Sequence, residues 1–105
     1  MDFASEPAVH RHLGVTVDML RCRAWHEGEE VSLTLTELRL LDILLGSPGT
    51  AFSRDSITRR LRGGFVMDLK MVDHYVSSLR RKMPALRVLI EAVRRKGYRF
   101  RRELP

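Results

Sequence analysis

From Leu69 to Met83 the apolar positions follow a helical period. Leu69, Val72, Val76, Leu79 and Met83 fall at i, i+3, i+7, i+10 and i+14, which predicts one seam along an α-helix. Asp68 stands at its N-cap position and Pro84 stops it. At about 100° per residue, the side away from the seam carries His74 and Arg81, flanked by Lys70, Ser77, Ser78 and Met71. That predicted outer face is cationic and hydrogen-bonding.

An earlier helix opens at Thr36, read as its N-cap, with Glu37 in the first turn. Leu38, Leu40, Leu41, Ile43, Leu44 and Leu45 leave it almost no polar side, as in a central core helix. Gly46 is expected to close it in the left-handed conformation, with Pro48 beyond. Between the two, Ser53 caps a short helix over about 54–62, with Ile57 and Leu61 buried and Gly63-Gly64 ending it. Upstream, VTV at 15–17, RCRAW at 21–25 and VSL at 31–33 alternate loosely, with breaks at Asp18 and Glu27-Gly28. They predict three or four short antiparallel strands, Cys22 being a buried strand residue. Downstream, VLIEAV at 88–93 predicts a strand, RRKG at 94–97 a turn and YRF at 98–100 the returning strand. Trp25, Tyr98 and Phe100 read as core and sheet-packing residues.

The order strands, helix, helix, helix, hairpin is an α+β arrangement. A helix pair whose second member shows a polar face, followed by a two-stranded wing, is a winged helix-turn-helix. At 105 residues there is room for one domain, taken as residues 9–103, with 1–8 a disordered terminus or linker remnant.

Charge changes the picture more than composition does. Residues 1–53 hold four Lys/Arg against eight Asp/Glu, a net −4, and residues 54–105 hold fifteen against five, a net +10, giving the +6 of the whole chain. Cations gathered on one half are the electrostatic footprint of a polyanion partner; a basic surface with no partner is the plainer alternative. No apolar run approaches the roughly 18 residues of a membrane span, and the N-terminus lacks the pattern of a secretory signal. A single cysteine fits a reducing, cytoplasmic compartment. His10 and His12 share a strand face but have no partners at zinc-ligand spacing, so no metal is expected. Neither a phosphate-binding Gly-rich loop nor a nucleophile elbow is present. The expectation is a binding module without enzymatic activity, cofactor or small-molecule ligand.

The segments LTLTELRLLDILLGSPG at 33–49, FSRDSI at 52–57, VDHYVSSLRRKM at 72–83 and AVRRKGYRF at 92–100 resemble the OmpR/PhoB-type DNA-binding domain of bacterial response regulators. The resemblance spans nearly everything from residue 13 to residue 100. It implies an N-terminal four-stranded sheet, three helices and a C-terminal hairpin. It further implies a transcriptional regulator whose third helix enters the major groove of DNA while the wing reaches the adjacent minor groove. Arg95 stands where the wing of that family has a glycine, and Met71 where it often has threonine.

On this reading Lys70, Met71, His74, Ser78 and Arg81, with Arg94 on the wing, are the candidate base readers. Ser77, Arg80, Arg95, Lys96 and Arg99 are candidate phosphate ligands, joined by Thr36, for which a plain N-cap is the competing role. Asp73 has two readings, acceptor from a cytosine amino group or partner of Lys70 or Ser77. The loop residues Gly64, Phe65, Val66 and Met67 occupy the segment that in the resembling family often touches RNA polymerase; the alternative is that Phe65 or Val66 folds back on the core. A protein-interaction module docking on polymerase or another regulator is the competing function. Two copies in tandem or inverted arrangement are expected to multiply a modest single-copy specificity.

Overall fold

The computed structural model describes residues 8–62 and 68–105. Strands Val9–His12 (β1), Val15–Asp18 (β2), Arg23–His26 (β3) and Glu29–Val31 (β4) form an antiparallel meander in chain order. Two-residue turns, Leu13-Gly14 and Glu27-Gly28, join its outer pairs at positive φ throughout, the backbone twist that hairpins favour. Strand periodicity then sorts the side chains. Val15, Val17 and Ala24 face inward and are fully buried, while Thr16 and Trp25 pair on the opposite side. Cys22 is not a strand residue: it is exposed, at φ 54°, in the turn before β3. Asp18 ends β2 with its carboxylate buried, accepting from the Arg21 backbone N–H at 3.0 Å.

The apolar helix spans Leu35–Leu45 (α1), with Leu38, Leu40, Leu41, Leu44 and Leu45 buried. Its N-cap is Thr34, not Thr36. The Glu37 N–H donates to Thr34 Oγ1 at 3.2 Å and the Thr34 N–H donates to Glu37 Oε1 at 2.8 Å, a reciprocal capping box. Gly46 closes the helix at φ −71°, in the right-handed region rather than the left-handed one. Glycine serves there by its size, because a Cβ would stand 3.1 Å from the His10 ring. That ring lies against α1, with Nδ1 2.7 Å from Asp42 Oδ1.

Helix Arg54–Arg62 (α2) starts as expected, with the Ser56 N–H donating to Ser53 Oγ at 3.0 Å, and buries Ile57 and Leu61. The third helix, Lys70–Lys82 (α3), buries Val72, Val76 and Leu79, with Met83 buried just beyond. Leu69 departs from the seam and is 44% exposed. The N-cap position is Leu69, not Asp68; Asp68, one residue earlier, accepts from the Lys70 N–H at 2.9 Å.

Residues 88–89 are not strand. Leu86–Leu89 form one helical turn (α4), because Leu86 and Leu89, three apart, both reach the core while Val88 faces out. The strand begins at Ile90–Val93 (β5) and returns as Gly97–Phe100 (β6). Phe52 adds a backbone rung to this hairpin, its N–H donating to the Tyr98 carbonyl at 2.8 Å and its carbonyl accepting at 3.0 Å. Gly97, at φ 142°, lies where any Cβ would run into the Phe52 carbonyl.

The hairpin turn holds Arg95 at φ 63°, in the left-handed region that costs an L-residue about 1–2 kcal/mol. Arg95→Gly removes that strain, less the extra freedom glycine brings to the unfolded chain. A stabilisation of about 0.5–1 kcal/mol is expected, read as a higher urea midpoint at unchanged slope.

Candidate nucleic-acid interface

α3 exposes Lys70, Met71, His74, Ser77 and Arg81 along one side. Ser78 is not among them. It is 7% exposed and its hydroxyl donates to Glu37 Oε2. The two serines lie about 100° apart around the helix, and the one turned toward α1 is buried by it. Ser78 therefore leaves the set of side chains that can reach a groove.

Glu37 is the centre of that contact. Its carboxylate, 3% exposed, accepts from Ser78, from the Thr34 N–H and from Lys82 Nζ at 2.8 Å. Burial taken alone raises a carboxyl pKa, but the hydrogen bonds from Lys82, Ser78 and the Thr34 backbone outweigh it and hold the group at about 2, below the ordinary 4.5. Arg81 joins from the surface, its Nη2 donating to Ser78 Oγ at 3.2 Å.

The opposite flank of α3 is tied to the hairpin. Asp73 pairs with neither Lys70 nor Ser77 but with residues of α2 and β6. Its Oδ1 accepts from the Tyr98 hydroxyl and from Arg54 Nε at 2.8 Å. The Tyr98 bond is the main reason the Asp73 carboxyl sits below its ordinary pKa, with Arg54 adding to it against the effect of burial. Burial, reinforced by Asp73, pushes the Tyr98 phenol up. The Tyr98 ring lies 5.1 Å from the Arg54 guanidinium and 6.0 Å from that of Arg80, within cation–π range.

These contacts divide the candidate cations. Arg80 is engaged internally, its Nη2 donating to the Ile90 carbonyl at 2.6 Å. Arg99 pairs with Glu91 at 2.9 Å, and Arg101 holds the other oxygen of that carboxylate at 2.8 Å. Lys70, Arg81, Arg94, Arg95 and Lys96 are exposed and meet no carboxylate among the described residues. Thr36 sits in the first turn of α1, where helix geometry leaves backbone N–H groups without an internal acceptor. The candidate polymerase contact, residues 64–67, falls outside the described residues.

Sequence reasoning missed Glu37, Arg54 and Tyr98 as the residues that hold the outer face in place. The first had a signal: Thr34-x-x-Glu37 is a capping-box spacing. For the other two, 19 and 25 residues from Asp73, only the fold brings them together. Among the described residues no helix is long and apolar enough to cross a membrane, and no three potential metal ligands cluster.

The family model described as "Transcriptional regulatory protein, C terminal" matches residues 28–100. The chain is 39% identical over 83 residues to a probable transcriptional regulatory protein of Picosynechococcus, covering 75% of this chain and 33% of that protein. It is 32% identical over 101 residues to the alkaline phosphatase synthesis transcriptional regulatory protein SphR of Synechococcus elongatus, covering 92% of this chain and 39% of SphR. It thus spans between a third and two fifths of the length of these relatives. Among solved structures, the RstA DNA-binding domain of Klebsiella pneumoniae, in complex with the RstA box, superposes with a TM-score of 0.77 at 29% identity, covering 90% of this chain and 98% of that one.

Glu37 gives the fold a pH signature. A carboxyl at about 2 when folded and near 4.5 when unfolded contributes stability that is fully present above pH 4.5 and lost as pH falls through about 2. Glu37→Gln removes that contribution. The expected result is a variant less stable than the parent at pH 7 and closer to it at pH 3, from urea midpoints at the two values.

Proposed function

This chain belongs to the family of transcriptional regulatory protein C-terminal domains, and on that premise we propose that it binds duplex DNA sequence-specifically as the effector part of a transcriptional regulator. The observation that carries this reading is the division of its cations. Arg21, Arg23, Arg54, Arg59, Arg99 and Arg101 meet carboxylates, whereas Lys70 and Arg81 on α3 and Arg94, Arg95 and Lys96 in the wing turn are exposed and meet none among the described residues. Free, exposed cations release counterions from a phosphate backbone; paired ones have less to gain. The RstA DNA-binding domain, built on the same fold, forms a complex with the RstA box, which supports the same use of the fold here.

In this reading α3 lies in the major groove. Lys70, Met71, His74 and Arg81 face base edges, and Ser77 reaches a phosphate. The wing tip places Arg94 over the minor groove, with Arg95 and Lys96 on its phosphates. The first-turn N–H of Thr36 donates to a phosphate on the α1 side. With short side chains between the cations, one copy reads few bases directly, and two copies on repeated half-sites supply the remaining specificity. Residues 64–67 are the proposed RNA polymerase contact, by the family resemblance. Such a regulator works in the cytoplasm, beside the chromosome, and asks for no catalysis.

Five free cations predict a log–log salt slope of about −4 to −5, and a loss on the order of a hundredfold or more in affinity between 50 and 200 mM salt. Anisotropy titrations across that range read it directly. A flat response would point instead to an apolar docking surface. Arg94→Ala is expected to erase a preference for A·T-rich flanks in a randomised-duplex selection while leaving the central bases unchanged; an intact flank preference refutes the minor-groove role.

A further inference from the structure

Between α3 and α4 runs an open cleft. Asp73, Ser77, Arg80 and Arg81 line it from the helix, and Arg87 lines it from α4. Its charges do not balance. Asp73 already accepts from Arg54 and Tyr98, and Arg80 is engaged at the Ile90 carbonyl. Arg81 and Arg87 are exposed, and neither meets a carboxylate among the described residues. Two exposed guanidinium groups, one from each lining helix, and the exposed Ser77 hydroxyl leave the cleft with a net attraction for an anion.

Arg87 is held there by the core. Leu86 and Leu89 are buried on one side of the single turn of α4, so Arg87 and Val88 face outward on a short, fixed base. Its planar fork suits a phosphate, which it can meet with two parallel N–H donors.

If α3 occupies a major groove and the wing the neighbouring minor groove, one phosphodiester strand separates those grooves and has to cross between the two elements. The wing flank of α3, where Asp73 and Arg80 meet the hairpin, is the side on which it crosses. Resting on the DNA reading above, we propose that this cleft seats that strand and that Arg87 is a phosphate-binding residue, meeting the strand from the α4 wall beside Ser77. Arg87 belongs to neither the recognition helix nor the wing.

Anisotropy titration of the full chain on duplex DNA, at several salt concentrations, tests it with Arg87→Ala and Arg87→Lys. Loss of one phosphate contact is expected to shrink the log–log slope by about 0.9 and weaken binding by about eightfold at 0.1 M salt. The lysine variant keeps the slope, the base preference in a randomised selection stays as in the parent, and the thermal midpoint does not move. If Arg87→Ala binds like the parent while Arg81→Ala weakens binding, the cleft assignment is wrong and the DNA reading stands. If the alanine variant loses affinity together with its thermal midpoint, and lysine does not restore the slope, Arg87 is structural and the proposal fails. If the parent itself ignores duplex DNA at low salt, the DNA reading fails and takes this one with it.

Discussion

The third helix hangs between two carboxylates, and the surface it presents depends on both. On one flank Glu37 draws in Ser78 and Lys82; on the other Asp73 is gripped by Tyr98 and Arg54. The apolar seam of Val72, Val76 and Leu79 keeps the helix in the protein, but hydrophobic burial is non-directional and tolerates modest rotation. Hydrogen bonds to charged groups are directional and short-ranged. Glu37 is the stricter of the two because it is buried: removing a donor there leaves a desolvated charge at a cost of several kcal/mol. Its own position is fixed by the capping box at the start of α1, so the core helix sets the register of the exposed one.

This explains how far the site was legible in the sequence. Periodicity alone separates the core side of α3 from the outer side, and it finds Lys70, His74 and Arg81. Ser77 and Ser78 fall roughly symmetrically, about 50° either side of the outward direction, and no helical arithmetic chooses between them. Glu37 on one side and an open cleft on the other decide it. The same limit applies to Arg80 and Arg99, whose guanidinium groups are taken up by the Ile90 carbonyl and the Glu91 carboxylate, partners that no helical or strand period names. The α+β order, the helix spans and the wing hairpin came through because each has its own local period. The strand over 88–89 failed for the converse reason. Val88 and Leu89 have β-branched and apolar character, but Leu86 and Leu89 share a core-facing side only in a helical turn, and packing outweighed propensity.

The charge asymmetry along the chain has a similar two-level meaning. A net +10 in residues 54–105 makes a field that attracts any polyanion. It does not say which cations act at short range. Asp55 with Arg59, Asp73 with Arg54, and Glu91 with Arg99 and Arg101 neutralise part of the total locally. What survives is concentrated on α3, α4 and the hairpin turn. Most of the carboxylates in this half therefore shape the positive surface by removing cations from elsewhere rather than by opposing it.

Tyr98 carries this organisation from the helix to the wing. Its hydroxyl meets α3 through Asp73, its ring lies near the guanidinium groups of Arg54 from α2 and Arg80 from α3, and its backbone pairs with Phe52 and Ala92. α3 and the hairpin are thereby joined by direct side-chain contacts, Tyr98 to Asp73 and Arg80 to the Ile90 carbonyl, rather than through a flexible linker. Two independently mobile binding elements would each lose conformational freedom on reaching a groove, and that ordering subtracts directly from affinity. Elements fixed to one another in the free protein leave most of the favourable contact energy for binding. The strain at Arg95 is consistent with this: a charged residue is held in the left-handed region in the turn of a hairpin that Tyr98 pins two rungs below, so the fold can sustain the unfavourable backbone there.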